Sequence, residues 1–295
     1  MSSQPPLSAA VERAVRLVAA DASVTAVREL RGGIHARTTL ITTVHPELEV
    51  VLREFPAGDD AGSQEAHVLR SLAGLGGLAP QLLAEGTSTA GDGSWLVITR
   101  LPGVADITPE HPSLWAEQLG QALARIHATS LSRLGGFSSV FSRAGGSQAD
   151  LSGPAAGVVH AGWEQLASQP HVLTHYDFWS GNAIWEHGAL TGIVDWSGGG
   201  LGPRCFDIGW CHLDLYLLHG ERIADKFLDA YQAASQYVVP NTLLGDLWAV
   251  ARSHEAVETW VPNYHDLGRT DLTAAELRSR HSAWTELLLA RTPAG

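Results

Sequence analysis

Lysine is almost absent from this sequence of 295 residues: Lys226 is the single one, so nearly all of the 19 basic residues are arginines. Acidic residues number 31, which gives a net charge of −12. That charge argues against nucleic acid or an anionic membrane as the main partner, because both select for basic surfaces. It is compatible with a cationic small molecule. Any site in the N-terminal half that needs a basic side chain must use arginine.

Cysteine is scarce as well. Cys205 and Cys211 lie six residues apart in an apolar, predicted helical stretch, and this spacing fits neither a disulfide framework nor a zinc site. We interpret them as small buried side chains. A metal site built from these cysteines with Asp207 and His212 is the alternative. No apolar run approaches membrane length and the N-terminus lacks a basic segment followed by an apolar one, so we expect a cytoplasmic protein.

One stretch sets two carboxylates and an amide at a fixed spacing. Residues 175–182 read His-Tyr-Asp-Phe-Trp-Ser-Gly-Asn, and Asp195 follows thirteen residues after Asn182. The short apolar segments on either side of the turn-like residues 186–188 are typical of a hairpin. That hairpin would bring Asp177, Asn182 and Asp195 to one end of a small sheet.

This trio suits the transfer of a phosphoryl group from a nucleotide. Such transfer depends on positioning and charge neutralisation, which need oxygen ligands for Mg²⁺ and a carboxylate that orients the attacking hydroxyl and accepts its proton. An Asp five residues before an Asn, with a second Asp beyond a hairpin, is the order used in protein kinases. A lone Asp on a turn is more often a cap or turn residue. His212-Leu213-Asp214 repeats the His-x-Asp pair without the following Asn.

The form His-x-Asp-x-x-x-x-Asn, with the second Asp before Trp-Ser, resembles the aminoglycoside phosphotransferase and choline kinase family. The resemblance implies a two-lobed, protein kinase-like α+β fold with the nucleotide between the lobes. The small antiparallel-sheet lobe, residues 1–100, would bind the nucleotide. The larger, mainly helical lobe, residues 101–295, would carry catalysis and substrate binding, with a hinge at about residues 99–103.

The same resemblance implies ATP or GTP and Mg²⁺ as cofactors. Asp177 would orient the acceptor hydroxyl and take its proton, while Asn182 and Asp195 would hold the metal. At the hinge, the backbone carbonyl of Thr99 and the N–H of Leu101 would face the adenine edge. Side chains there do not distinguish ATP from GTP.

Three antiparallel strands are predicted over residues 24–30, 38–44 and 49–55. In the first turn, Gly32 and Gly33 would let backbone N–H groups approach phosphate oxygens, although most glycine pairs in hairpins only satisfy a turn.

Arg53, in the third predicted strand, stands where the family commonly has a lysine that grips the α- and β-phosphates. Arginine keeps that role with a planar fork instead of a point charge. Glu65, in the first turn of a helix predicted over residues 63–73 with Ser63 as its cap, would pair with Arg53. The rival explanation is a carboxylate that only favours a helix N-terminus.

The rest of the chain predicts further elements. An amphipathic helix is expected over residues 8–20, and residues 129–156 are interpreted as a loop or insertion. The resemblance implies that Asp207 anchors the catalytic loop, and a role as a ligand is the alternative. The acidic residues that are candidates for a cleft receiving a basic substrate, or else for solvated helix faces, are Asp214, Glu255, Glu258 and Asp266.

The remaining predicted elements are strands over 80–86 and 95–103 and helices over 114–128, 207–218, 221–234, 242–260 and 273–289.

The resemblance therefore predicts a phosphotransferase that acts on a hydroxyl-bearing small molecule. An aminoglycoside or other antibiotic is one candidate acceptor, and a sugar, choline or homoserine is another, because the transfer machinery does not fix the acceptor. A catalytically silent binding protein of the same fold is opposed by the presence of Asp177, Asn182 and Asp195 together. A metal-dependent hydrolase would leave Arg53 and Glu65 unexplained.

Overall fold

The computed structural model describes residues 9–30, 36–87, 93–133, 135–142 and 146–292. The chain divides into two compact units, residues 1–101 and 102–295. Gly32 and Gly33, for which phosphate binding is predicted, lie outside the described residues. No helix within the described ranges is both long and apolar enough to cross a membrane.

The N-terminal unit is built on a five-stranded antiparallel sheet in the order β1-β2-β3-β5-β4. Its central strand, β3, has four consecutive buried residues, 50–53, so both of its faces are covered. Val11, Ala14 and Val15 of the first helix pack into one apolar cluster with residues of the sheet. The elements are α1 (Ala9–Val18), β1 (Ser23–Leu30), β2 (Arg37–Val44), β3 (Leu48–Phe55), α2 (Ala61–Leu72), β4 (Leu82–Thr87) and β5 (Ser94–Thr99).

Helix α2 begins two residues earlier than predicted, and Ser63 is not its cap. The Oδ1 atom of Asp59 accepts a hydrogen bond of 2.8 Å from the N–H of Ala61, and this starts the helix. Glu65 therefore lies beyond the first turn, which contains no acidic residue. The explanation of Glu65 as a carboxylate attracted to the helix N-terminus is thereby wrong, because that electrostatic effect is confined to the first turn.

The C-terminal unit is mainly helical and contains two small sheets. Three strands pair in the order β6-β8-β9, and two pair as β10-β7. The elements are β6 (Val104–Ala105), α3 (Pro112–His127), α4 (Ala156–Ala161), α5 (Trp163–Ala167), β7 (His171–Thr174), β8 (Ala183–Glu186), β9 (Ala189–Ile193), β10 (Gly200–Pro203), α6 (Arg204–His219), α7 (Glu221–Ser235), α8 (Thr242–Ser253), α9 (Val261–Asp266) and α10 (Ala274–Ala290).

Helix α6 lies in the core of this unit, and most of its residues are buried. It crosses α8 at Gly209, where a Cβ atom would lie 2.4 Å from the backbone oxygen of Gly245. A larger residue at position 209 would therefore push the two helices apart. This close crossing fixes the helix that supports the loop of residues 175–182.

Two other predictions differ from the structure. The helix predicted over residues 242–260 ends at Ser253, and a short 3₁₀ segment and α9 follow. Pro262 lies in the first turn of α9, where a missing N–H is tolerated, whereas it would interrupt a longer helix. In the segment 129–156, the described residues form short 3₁₀ turns before α4, and Val140 is fully buried, so part of this predicted loop belongs to the core.

The two cysteines are buried and unpaired by any disulfide. Burial raises the pKa of the Cys205 thiol to about 12 and also raises the pKa of Cys211. The ring of His212 lies between Asp246, at 3.0 Å, and Asp225, at 3.5 Å. Burial opposes protonation of this ring, but the two carboxylates raise its pKa to about 9. His212 is therefore held by two carboxylates. Both cysteines are protonated thiols that pack as small apolar side chains.

Candidate active site

The β8–β9 hairpin brings the second half of the motif together. Its two turn residues, His187 and Gly188, both have positive φ angles (51° and 77°), as a tight two-residue hairpin turn requires. The backbone N–H of Val194 donates a hydrogen bond of 2.9 Å to the backbone oxygen of Asn182. Asn182 thus precedes the first strand and Asp195 follows the second, at the same end of the sheet.

Asn182 also contacts Asp177 directly. Its Nδ2 atom lies 2.9 Å from the backbone oxygen of Asp177 and 3.1 Å from Oδ2 of the Asp177 carboxylate. Both of these partners are acceptors, so the amide must present its N–H₂ group to them. The side-chain oxygen of Asn182 consequently lies on the side of the amide opposite to these two contacts.

Asp177 is a half-buried residue, and its carboxylate lies near the negative charge of Asp195. Removal from water and the neighbouring Asp195 carboxylate raise the pKa of Asp177, while hydrogen bonds from Trp210 and Asn182 oppose the increase. Two neighbouring carboxylates that disfavour each other's charge are stabilised by a bound cation. The site is therefore electrostatically suited to a metal ion or to a cationic group.

Asp195 has a left-handed backbone conformation, with φ of 62°. This region is uncommon for residues other than glycine, although Asp and Asn enter it more readily than most. The hydroxyl of Ser197 donates a hydrogen bond of 2.8 Å to Oδ1 of Asp195. Backbone and side chain of Asp195 are thus both held in one arrangement at the end of the hairpin.

Asp207 anchors the loop of residues 175–182, as predicted. Its Oδ2 atom accepts from the N–H of His175 at 2.8 Å, and its Oδ1 atom accepts from the N–H of Tyr176 at 2.6 Å. The ring of His127 lies 3.1 Å from Oδ2, and burial lowers the pKa of that histidine. Tyr176 has a φ of 68°, so the loop is strained immediately before Asp177 and is held there by hydrogen bonds to a buried carboxylate.

Two further residues of α6 reach this loop, and sequence reasoning missed both contacts. The indole Nε1 of Trp210 donates a hydrogen bond of 3.0 Å to Oδ1 of Asp177. Asp214 accepts from Ser180, at 3.0 Å from the backbone N–H and 2.5 Å from the hydroxyl, and from the hydroxyl of Tyr264 at 2.9 Å. The available signal was the helical spacing of 207, 210 and 214, which places all three on one face.

Two of the four predicted substrate-cleft acids are engaged in other contacts, and two are exposed. Asp214 is buried in the contacts just described, so its interpretation as a cleft residue is wrong. Glu258 pairs with Arg278 at 2.5 Å. Glu255 and Asp266 are exposed side chains.

In the N-terminal unit, Arg53 of β3 and Glu65 of α2 form a buried ion pair. The Nη1 atom of Arg53 lies 2.5 Å from Oε1 of Glu65, and the two residues are only 5% and 1% exposed. The guanidinium also lies over the ring of Phe55, 5.4 Å from its centroid. Buried charges of this kind occur when they are paired, and the pair fixes the direction of the arginine side chain.

Thr99 and Leu101 lie at the end of this unit. Thr99 is the last residue of β5, where it pairs with Val50 of β3. Its backbone N–H donates to the oxygen of Gln81 at 3.0 Å, and its hydroxyl accepts from the N–H of Gln81 at 2.9 Å. Leu101, which is half-buried, follows two residues later and ends the unit.

The sheet-containing N-terminal unit, the mainly helical C-terminal unit and the Asp-Asn-Asp arrangement together define a phosphotransferase of the protein kinase-like type. The "Phosphotransferase enzyme family" profile matches residues 26–243, and the chain belongs to this family. Both the predicted fold class and the predicted phosphotransferase class are confirmed. No curated protein sequence gives a significant match.

Solved structures with the same fold include several antibiotic phosphotransferases. A thermostable mutant of aminoglycoside phosphotransferase APH(4)-Ia, in ternary complex with ADP and hygromycin B, has a TM-score of 0.62 at 16% identity, with 95% of this chain and 98% of that chain covered. Macrolide 2'-phosphotransferase MphH from Brachybacterium faecium has a TM-score of 0.57 at 18% identity, covering 98% and 100%. Spectinomycin phosphotransferase APH(9)-Ia, in complex with ADP and spectinomycin, has a TM-score of 0.61 at 12% identity, covering 97% and 99%. At these identities the likeness shows a shared fold.

Proposed function

We propose that the protein transfers the γ-phosphoryl group of ATP or GTP, in the presence of Mg²⁺, to a hydroxyl group of a small molecule. The observation that carries the proposal is the bonded pair of Asp177 and Asn182 at the end of the hairpin that also bears Asp195. In-line phosphoryl transfer needs an oriented hydroxyl and neutralised phosphate charge. A carboxylate beside an amide and a second carboxylate provides the groups for both tasks.

Asp177 is the proposed catalytic base. Its carboxylate would accept a hydrogen bond from the acceptor hydroxyl and take the proton as the oxygen attacks phosphorus. The raised pKa of Asp177 supports this role, because a base closer in pKa to the working pH accepts a proton more readily. Its hydrogen bonds hold the carboxylate in one orientation for that contact.

The donor set around Asp177 fits Mg²⁺. Among the described residues, no group of three His, Cys, Asp or Glu side chains is arranged to hold a metal. Magnesium does not require one, since it is typically bound by one or two carboxylates together with substrate phosphates and water. Asp195 and the side-chain oxygen of Asn182 are the proposed ligands. A bound Mg²⁺ would supply charge neutralisation at the phosphate oxygens.

Arg53 is the proposed phosphate ligand of the N-terminal unit, with Glu65 as the residue that directs it. The buried ion pair supports this, because an arginine already fixed by one carboxylate loses little freedom when it binds phosphate. Gly32 and Gly33 remain proposed phosphate-binding residues. The backbone of Thr99 and Leu101 remains the proposed contact of the nucleotide base.

The acceptor is proposed to be a hydroxyl-bearing antibiotic, with a cationic aminoglycoside as the first candidate. The net charge of −12 and the antibiotic ligands of the fold relatives support this choice. The alternative acceptors are metabolic alcohols such as a sugar, choline or homoserine, since a shared fold does not determine the substrate.

The test is a transfer assay with purified protein, ATP or GTP, and Mg²⁺ present or removed with a chelator. The panel contains hygromycin B, spectinomycin, a macrolide, choline, homoserine and glucose, and phosphorylated product is identified by mass spectrometry. We expect Mg²⁺-dependent product from at least one antibiotic, and roughly 10² to 10⁴ times less from the Asp177→Asn variant. Product formed only from choline, homoserine or glucose would replace the antibiotic proposal. Product that forms equally well in Asp177→Asn would contradict the proposed mechanism.

A further inference from the structure

One face of helix α6 holds the catalytic loop at three successive points. Asp207 binds the backbone before Asp177, Trp210 binds the Asp177 carboxylate, and Asp214 binds Ser180 beyond it. Positions three and seven residues after Asp207 lie on the same side of a helix, so this triple contact follows from the helical repeat. Of these three side chains, Trp210 is the one that contacts the proposed base itself.

With the contact of Trp210, each of the two oxygens of the Asp177 carboxylate accepts a hydrogen bond. Oδ1 accepts from the indole N–H at 3.0 Å, and Oδ2 accepts from the amide of Asn182 at 3.1 Å. The terminal torsion of an aspartate is otherwise broad. With one donor on each oxygen, rotation about that torsion would break a hydrogen bond, so the plane of the carboxylate is set.

The surroundings of Trp210 hold its indole ring in place. The edge of Trp260 packs against it with ring centroids 5.4 Å apart, and the guanidinium of Arg252 lies 5.2 Å from its centroid. Trp248, which is fully buried and stacked on Phe206, lies 6.3 Å away. A donor held by this aromatic cluster returns to the same place after each turnover.

The chemistry of the indole suits the role. Its N–H is a donor only, so it cannot compete with Asp177 for the proton of the acceptor. It is also neutral, so it orients the carboxylate without pairing with its charge as a lysine or arginine would. A phenylalanine at this position would fill most of the same space without the hydrogen bond.

We propose that Trp210 is a positioning residue for phosphoryl transfer: its indole N–H sets the orientation of the Asp177 carboxylate and controls the transfer step without contributing to nucleotide binding. The inference rests on the proposed function of Asp177. It assigns a specific task to a side chain 33 positions away in the sequence.

The matched pair of variants is Trp210→Phe and Trp284→Phe. Both remove the indole N–H of a tryptophan in the C-terminal unit, but the Nε1 of Trp284, a fully buried residue of α10 that stacks on Tyr216, has no hydrogen-bond partner among the described residues. Turnover is measured with ATP and Mg²⁺ as release of inorganic phosphate, with water as the hydroxyl acceptor, and the ATP dissociation constant is measured separately. Thermal unfolding of each variant reports packing losses.

We expect Trp210→Phe to lower kcat roughly 10- to 100-fold, the loss associated with a hydrogen bond to a charged group, while the ATP dissociation constant stays within about twofold of wild type. Trp284→Phe should lower the unfolding temperature and leave kcat within a few-fold of wild type. Wild-type kcat in Trp210→Phe, or an equal loss in Trp284→Phe, would overturn the inference. Asp177→Asn in the same assay separates the two levels: if it retains turnover, the proposed role of Asp177 itself fails.

A second measurement tests the contact without any activity. The ten tryptophans give indole N–H resonances in a ¹⁵N-labelled sample, and the resonance absent from Trp210→Phe identifies Trp210. Because a hydrogen bond to a carboxylate is stronger than one to a neutral amide, Asp177→Asn should move this resonance upfield. A Trp210 resonance that does not move in Asp177→Asn would show that the hydrogen bond is absent in solution and would overturn the proposal.

Discussion

The Nδ2 atom of Asn182 lies 2.9 Å from the backbone oxygen of Asp177 and 3.1 Å from its Oδ2. This double contact makes the loop between the two residues a closed unit, with the proposed base at one end and a proposed metal ligand at the other. A change in Asn182 is therefore expected to alter the position of Asp177 as well, so the base and the metal site are better separated by variants of Asp177 and Asp195.

Asp177→Asn should reduce transfer by roughly 10² to 10⁴, the usual contribution of a general base, because the amide cannot accept the proton of the acceptor hydroxyl. Folding and the ATP dissociation constant should change little, since the amide preserves the volume of the side chain. Activity, calorimetric binding and thermal unfolding are measured on the same preparation. Asp266→Asn, which alters an exposed carboxylate of α9, is the control. Wild-type turnover in Asp177→Asn would rule out the assignment.

Asp195→Ala should abolish the tightening of nucleotide binding by Mg²⁺, because the variant loses the carboxylate proposed as the charged metal ligand. The measurement is calorimetric titration of ATP with Mg²⁺ and with a chelator, in wild type and variant. Ser197→Ala is a useful comparison, since it removes only the hydrogen bond to Oδ1 of Asp195 and should retain most of the metal effect. If Asp195→Ala responds to Mg²⁺ as the wild type does, the ion binds elsewhere.

Arg53→Ala should weaken ATP binding far more than adenosine binding, because the lost contact is to phosphate. Arg53→Lys should recover part of the loss, since it keeps the charge without the planar fork, and Glu65→Gln should have a smaller effect in the same direction. Dissociation constants for ATP, ADP and adenosine are compared across the three variants.

The control for this series is Arg70→Ala, which removes an arginine of the same unit from a more exposed ion pair with Glu85. Exposed pairs contribute little, so it should behave as the wild type does. Arg53→Ala should also be less stable, because Glu65 is then left buried without this partner. Equal losses for ATP and adenosine in Arg53→Ala would mean that the arginine supports only the fold of its unit.

The raised pKa of the buried Asp214 carboxyl predicts that the free energy of unfolding depends on pH. Burial raises its pKa to about 6 despite the hydrogen bonds from Ser180 and Tyr264, whereas its ordinary value is 3.8. The folded state therefore binds this proton more tightly than the unfolded state. The contribution of the protonated carboxyl is complete below pH 3.8 and is lost as the pH rises through 6.

The prediction is tested by urea unfolding of wild type and Asp214→Asn at pH 5 and pH 8. Relative to the variant, the wild type should gain about 1 kcal/mol of stability on going from pH 8 to pH 5. Taking the difference between the two proteins removes the contributions of titrating groups that do not interact with Asp214. A difference that is independent of pH, or one that increases towards pH 8, would contradict the raised pKa.

The short sequence separation of its residues made the Asp-Asn-Asp arrangement predictable. Asp177, Asn182 and Asp195 are linked by a short loop and a hairpin, so the turn residues 186–188 were sufficient to bring them together. The pairing of Arg53 with Glu65 came from the resemblance to a family, since strand and helix patterns do not specify which charged residues meet.

The contacts of α6 could not be predicted in the same way. Trp210 and Asp214 reach the catalytic loop across 33 and 34 positions, and they do so because α6 packs closely on α8 at Gly209. Apolar periodicity predicts that a helix is buried but does not specify which neighbour it faces. For the same reason an acidic residue on such a helix, Asp214, was interpreted as part of a cleft or of a solvated helix face, whereas it lies in the interior.

The arginine at position 53 has a consequence for chemical labelling. Nucleotide analogues that carry an acyl phosphate tag kinases by acylating the amine of a lysine beside the bound phosphates. A guanidinium remains protonated at any ordinary pH and does not undergo this acylation. The single lysine, Lys226, is an exposed residue of helix α7, outside the proposed nucleotide contacts. Surveys of kinases based on lysine capture should therefore pass over this enzyme even when the analogue occupies the proposed nucleotide contacts.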